Sequence, residues 1–300
     1  MALQRVYYPA AIRLPSPEIT HLSDVSPDRG YQVLTESTAG SPNPCFVGVE
    51  NADPDITFTS RQLKSILDTC TAKGLARDLS AGIVDLWYKA GKAMEIREDP
   101  TTAVHAVARL TTSAMLYWSS LRVATGSVAE ISARLVTARR GVSDPMVWLG
   151  AQQLPSLSGC QRIFGMGPVR MNGVLLEGVS GWTLNTNPVL EPVRSDGAKT
   201  NTYQGIRSFH PVVTLNSNNL DEITNSSFGG DEFATLELFL QRMTTTNMFD
   251  LAGNTTHIKI TLVGGLRTVP GVTGQVASLT PMFYSVGETP MVINTSSAIV

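Results

Sequence analysis

A chain of 300 residues with 42% apolar and only 16% charged side chains has a sparsely charged globular composition, long enough for one large domain or two ordinary ones. The net charge is −2 and no Lys/Arg run occurs, which excludes a direct grip on nucleic acid through phosphate neutralisation. No stretch is long and apolar enough for a membrane-spanning helix, and three widely spaced cysteines (Cys45, Cys70, Cys160) form neither a disulfide framework nor a zinc site.

The segment Met1 to Pro17 is broken by Pro9, Pro15 and Pro17 and has no apolar run of signal-peptide type, so synthesis in a cytoplasm is expected. Leu3, Val6, Tyr7 and Tyr8 give it an apolar and aromatic character that a loose terminus rarely carries. The arm is therefore expected to be an edge strand or to lie on a neighbouring subunit. With Ile299 and Val300 at the other end, these residues are the candidate assembly contacts.

A short strand is predicted over Ile56 to Thr59 after Pro54, followed by a helix capped by Ser60 or Thr59. Leu63, Ile66, Leu67 and Cys70 share its buried face, and Gly74 stops it. Four strands are predicted next: Ile83–Lys89, Ala103–Thr111, Met115–Val123 and Val128–Ala138. Gly150 to Gly167, with Pro155 and several serines, has the chemistry of a linker. Beyond it, Val169–Met171, Val174–Leu176 and Gly181–Leu184 are predicted strands around the hairpin signal Asn172-Gly173. Val212–Leu215 is a further strand, and a helix containing Leu220 and Ile223 is expected to be clipped at Asn225. The last predicted strands are Ala234–Arg242, Thr256–Val263 and Val276–Val286. Alternation in the second of these puts Ile258, Ile260 and Leu262 on a core and turns His257, Lys259 and Thr261 outward. The same reading turns His105 and Arg109 outward.

These elements come in two matching series. Val47–Ile66 slides without a gap onto Gln204–Ile223, with six of the twenty positions identical: Gly48/Gly205, Pro54/Pro211, Thr57/Thr214, Ser60/Ser217, Leu63/Leu220 and Ile66/Ile223. Average composition gives roughly one, so the match is a repeat. Further blocks keep the same order: Ile12-Arg13-Leu14 with Val169-Arg170-Met171, Val84–Tyr88 with Leu236–Leu240, His105 with His257, Leu110 with Leu262, Leu121-Arg122 with Leu266-Arg267, and Pro145-Met146-Val147 with Pro290-Met291-Val292. The predicted organisation is one mainly β domain twice, over residues 1–152 and 163–300 with 153–162 as linker. Each copy is a β-sandwich or barrel of six to eight strands with one short helix.

No GxSxG, P-loop or HExxH occurs, and the four histidines have no metal-ligand spacing. Gly165-Met166-Gly167 lacks the third glycine of a dinucleotide fingerprint, since Arg170 stands there. The carboxylate pairs Asp53/Asp55, Asp221/Glu222 and Asp231/Glu232 fall in turns or at helix starts, where solvation and capping account for them. Three N-x-S/T sequons, at Asn225, Asn254 and Asn294, are common in a Thr/Ser/Asn-rich chain. The expectation is no enzyme, no cofactor and no metal.

The stretch VLEPVRSDGAKTNTYQGIRSFHPVVTLNSNNL (Val189 to Leu220) resembles a module of tailed-bacteriophage tail tube and tail hub proteins. There a strand is followed by an Asp-Gly turn, a short strand, an x-Pro and an alternating strand. The resemblance implies packed sheets with one helix, and rings whose inner strands join into a barrel. In the duplicated type, three chains give a pseudo-six-fold ring around a DNA-conducting lumen. It also implies a virion protein assembled in the host bacterial cytoplasm. Its partners would be itself and other tail proteins, with nucleic acid only as passing cargo. The alternatives are a hub or adaptor of a single ring, or a two-domain carbohydrate-binding or adhesion module. The last needs an exposed aromatic platform, for which Trp87/Phe239 is the aligned pair.

Overall fold

A computed structural model describes residues 6–15, 18–36, 46–70, 74–79, 83–91, 101–111, 113–137, 146–157, 163–193, 203–219, 232–244, 249–268 and 280–299. The chain is mostly β, built of large antiparallel sheets. The first strands are β1 (Val6–Arg13), β2 (Glu18–Ile19), β3 (Leu22–Asp28), β4 (Tyr31–Glu36), β5 (Phe46–Ala52) and β6 (Asp55–Ser60). After helix α1 (Leu63–Thr69) come β7 (Ala76–Leu79), β8 (Val84–Gly91), β9 (His105–Leu110), β10 (Ala114–Ala124), β11 (Glu130–Thr137) and β12 (Met146–Gln152). The remainder are β13 (Ile163–Met171), β14 (Val174–Leu175), β15 (Val179–Asn185), β16 (Val189–Val193), β17 (Tyr203–Ser208), β18 (Val212–Ser217), β19 (Glu232–Met243), β20 (His257–Thr268), β21 (Met282–Ser285) and β22 (Met291–Ser297).

One sheet has the order β12-β9-β8-β1-β2. A second, of thirteen strands, runs β14-β13-β19-β20-β21-β18-β15-β10-β11-β6-β3, with β22 beside β20 and β7 beside β10. Strand β20 joins two parts of this sheet: it pairs with β19 from Ile258 to Leu266, and also with β22 in its first stretch and with β21 in its last. Gly264 sits at the change with φ +62, a backbone setting that favours glycine. The hairpins β4–β5 and β16–β17 are separate two-stranded sheets.

The ladders occur in two parallel sets. The order β2-β1-β8-β9-β12 reappears as β14-β13-β19-β20-β22, and β3-β6-β11-β10 as β15-β18-β21-β20. Their registers agree as well. Val84 opposes Leu110 as Leu236 opposes Leu262, and Met146 opposes Leu110 as Met291 opposes Leu262. Irregularities recur in place: β12 slips against β9 between Leu149 and Gln152, and β22 against β20 between Asn294 and Ser297. Leu22 opposes Ser60 and Val25 opposes Phe58, as Val179 opposes Ser217 and Trp182 opposes Leu215. In the hairpins Gln32 opposes Asn51 and Val33 opposes Val49, as Val189 opposes Ser208 and Leu190 opposes Ile206. Because side chains alternate with period two, shared register and shared bulges give both sets the same inward-facing positions.

One sequence match is corrected by the ladders. Leu266 opposes Tyr284, which opposes Val212; the residue in that place of the first set is Met115, which opposes Val136, itself opposite Asp55. Leu266 therefore corresponds to Met115, not to Leu121. The short block Leu-Arg matched by identity alone, without a partner strand to fix its register.

Leu63, Ile66, Leu67 and Cys70 are buried as the periodicity predicts. The predicted cap is not used. The helix begins after Gln62, with no side-chain cap, and Ser60 Oγ instead accepts the Gln62 N–H at 3.1 Å. The Gln62 amide is engaged elsewhere, its Oε1 taking the Thr20 N–H and its Nε2 donating to the Glu18 carbonyl. α1 is the one helix among the described residues; Leu220 and Ile223, expected in a second, lie outside them. The linker predicted from Gly150 is shorter, because Gly165 and Gly167 lie in β13. A Cβ on Gly167 would meet the Phe239 carbonyl at 2.9 Å, so this glycine serves strand contact. β12 ends at Gln152 and β13 starts at Ile163. Asn172 and Gly173 take φ of +52 and +81, as a primed hairpin turn requires, and Asn172 Oδ1 accepts the N–H groups of Ala234 and Thr235.

The two histidines do not face out. His105 and His257 are fully buried. His105 Nδ1 accepts the Ala90 N–H at 3.0 Å and His257 Nδ1 accepts the Arg242 N–H at 3.1 Å, the same bond at the same place in both ladder sets. Segments outside the ladder cover the second face of these strands. The loop after β19 brings the Leu251 carbonyl to 2.8 Å from His257 Nε2, and Leu154 packs with Val107 and Trp87. An alternating strand predicts one covered face; the second was covered by tertiary structure.

Candidate assembly interface

The first ladder set ends laterally at β10 and the second begins at β15. These strands pair from Ser120↔Asn185 to Ala124↔Gly181, making an eight-stranded run β3-β6-β11-β10-β15-β18-β21-β20. Gly181 permits the approach: a Cβ there would stand 3.0 Å from the Val123 carbonyl. Three more contacts complete the junction. The β10–β11 turn covers the outer edge of β13, where Val128 bridges Gly165 and the Ala129 N–H reaches the Phe164 carbonyl at 2.8 Å. The β16–β17 hairpin lays Leu190 and Ile206 on Ala76, Met115, Tyr117 and Val136. Finally, α1 and its following turn lie against β22: Lys64 Nζ donates to Thr295 Oγ1 at 3.0 Å, and Gly74, with φ +70, makes room for Ile293.

Each element that the second set brings to this junction has a counterpart in the first set, and those counterparts stand open. Among the described residues, strand β3 carries a ladder on one edge, to β6. Phe164 is fully buried, while Tyr7, at the same register against the next strand, is 44% exposed. Ile293 is partly buried against the core, while Trp148, its ladder counterpart, is 46% exposed. Leu190 packs on the face of β10 and β11, while Val33 is 59% exposed. The opposite flank agrees: Met115 and Val136 are buried, whereas Leu266 and Tyr284, in their places, are exposed. Scattered apolar surface needs no explanation, but these exposed positions coincide with ones that are buried in the internal junction.

Among the sequence-predicted contacts, Val6, Tyr7 and Tyr8 lie on β1, a strand of the five-stranded sheet. The edge of β1 away from β8 carries β2 only at Ile12 and Arg13. Ile299 is half-buried, and its N–H donates to the Ala252 carbonyl at 2.8 Å. Leu3 and Val300 lie outside the described residues. Sequence reasoning missed Val33, Trp148, Leu266 and Tyr284. Each looks like an ordinary strand residue until its buried counterpart is identified in the other ladder set.

From β6 to β18, away from the hairpin and from the Val212–Tyr284–Leu266 row, the face of the run opposite the core is polar. It carries Thr57, Thr59, Ser120, Ser132, Thr183 and Thr214, with Arg134 paired to Asp55. Glu130 accepts hydrogen bonds from Arg122 and from Arg61, which hold its carboxyl below the usual carboxylate range, the Arg122 bond contributing most. Acidic and basic groups are thus interleaved here. The proposed aromatic platform is absent at its aligned pair, because Trp87 and Phe239 are both buried. Phe239 lies beneath the cations of Arg170 and Lys259. Among the described residues no group of three His, Cys, Asp or Glu could hold a metal ion, and no helix is long and apolar enough to cross a membrane. A cleft of about 700 Å³ opens at the junction, between Leu75–Asp78 and Gly205–His210. No family model and no curated protein sequence matches the chain.

Proposed function

We propose that the chain is an internal duplication, with tube-like β domains at 1–152 and 163–300, and that it is a structural, self-assembling virion protein. The single observation that carries this reading is the junction: a flank of the first ladder set closes on a flank of the second, and among the described residues the counterparts of the closing elements are exposed. A heterologous contact of this kind generates a ring when its rotation closes. The resemblance to phage tail tube proteins supplies the closure: three chains, six domain positions, and the polar face of the eight-stranded run turned to a lumen. Interleaved charges and hydroxyls suit a wall that lets nucleic acid pass without holding it. Open edge strands, a hazard in a monomer, become assembly contacts. In this reading the protein acts in the virion, with itself and other tail proteins as partners.

Light scattering with electron microscopy tests the proposal. Particles of three chain masses, and rings with three-fold symmetry and six similar lobes, are expected. A strictly monomeric protein at all concentrations, with no rings or tubes, refutes it.

A further inference from the structure

The junction assigns a specific role to the β4–β5 hairpin, where Val33 is exposed at the register position at which Leu190 is packed. We infer that it docks on the Leu266–Tyr284 face of a second copy of this chain. The inference rests on the self-assembly proposed above and adds which surfaces meet.

The template is internal. Leu190 and Ile206 oppose each other in β16–β17 and pack on Ala76, Met115, Tyr117 and Val136. The β4–β5 hairpin has the same ladder and the same slip, with Val33 and Val49 at the register positions of Leu190 and Ile206. The receiving face has its own counterpart: Leu266 and Tyr284 oppose each other as Met115 and Val136 do. Val33 is 59% exposed, Leu266 47% and Tyr284 38%. Apolar character is therefore kept on both sides of a contact that the chain closes once and leaves open once.

The occupant is a second chain for two reasons. The hairpin cannot use the face of β10 and β11 in its own set, because β16–β17 covers it. The other face, on β20 and β21, belongs to the far end of the eight-stranded run from β3, the strand that leads into the hairpin. Seven inter-strand spacings separate those ends, on the order of 30 Å. A hairpin that reaches one neighbouring set in the template reaches the neighbouring chain here.

Thiol cross-linking of the full-length chain tests this. Val33→Cys and Tyr284→Cys are combined in a background with Cys45→Ser and Cys160→Ser, and treated with a short bismaleimide. Covalent dimers and larger species are expected at least tenfold above the chains carrying only one of the two substitutions, in which the buried Cys70 is retained as well, with the linked peptides mapped by mass. Val33→Cys with Val292→Cys, on an exposed position of β22, serves as the control and is expected to give no such enrichment. In a second arm, Leu266→Asp is expected to weaken self-association at least tenfold while leaving the urea midpoint of the dilute monomer unchanged. Oligomers by light scattering that neither cross-link at this pair nor respond to Leu266→Asp overturn the docking and leave the ring standing. A wild-type chain that never associates overturns both.

Discussion

Phe164 and Tyr7 offer a paired perturbation in which one register position has two different environments. Phe164 is fully buried beneath the β10–β11 turn, and truncation to alanine leaves a cavity that the surrounding strands fill only in part. A loss of about 3–5 kcal/mol in folding stability follows. Tyr7 is 44% exposed and already faces solvent on one side, so no closed cavity forms. About half of its ring area is removed from water, roughly 100 Å², and truncation costs about 1–2 kcal/mol after discounting for a compact unfolded state. The proposed assembly reverses the difference. Tyr7→Ala removes a side chain placed where the neighbour's turn should lie, and is expected to weaken association at least tenfold. Urea melts at high dilution give the first number, and sedimentation across a concentration series gives the second. Equal folding losses for the two variants, or Tyr7→Ala association indistinguishable from wild type, would refute the equivalence of the two edges.

Four further outcomes are expected. His105→Ala and His257→Ala each strand a buried backbone N–H, of Ala90 and Arg242, and should each lower stability by about 2–4 kcal/mol; changes below about 0.5 kcal/mol in chemical denaturation would contradict the bonding described. Gly181→Ala drives a Cβ against the Val123 carbonyl and should cost about 1–3 kcal/mol, read as a lowered urea midpoint with an unchanged slope. Glu130 has a depressed pKa, so its contribution is complete above the usual carboxylate range and is lost as pH falls through its folded value. Glu130→Gln should therefore flatten the acid limb of the stability curve, by no more than about 1 kcal/mol because both arginines are largely exposed. Burial pushes the Cys70 thiol up to about 12, so it should resist thiol reagents at neutral pH in the folded chain and react on unfolding; fast labelling of the native protein would place it at the surface.

The sequence by itself determined the strands β8 to β11 and β18 to β20 and the matched blocks among them, whereas β3, β4, β5, β12 and β22 carried no strand prediction. Val47–Ile66 against Gln204–Ile223 is a local statement, and a strand's period of two converts matched residues into matched register. That is why Val84, Leu110 and Met146 meet in the same ladder places as Leu236, Leu262 and Met291. It also explains the failure at Leu121, where two identical residues stood without a partner strand to test them. Tertiary structure alone decided what covers each strand. His105 and His257 alternate like surface residues and are buried; the Leu251 carbonyl, six residues before His257, closes over that ring, and Leu154 packs on Val107 and Trp87 of the neighbouring strands. It likewise decided that Phe164 is covered while Tyr7 is open, and Leu190 while Val33 is open. Periodicity is written in neighbouring residues; burial depends on what the fold lays over them, and that cover is what separates Tyr7, Val33 and Trp148 from Phe164, Leu190 and Ile293.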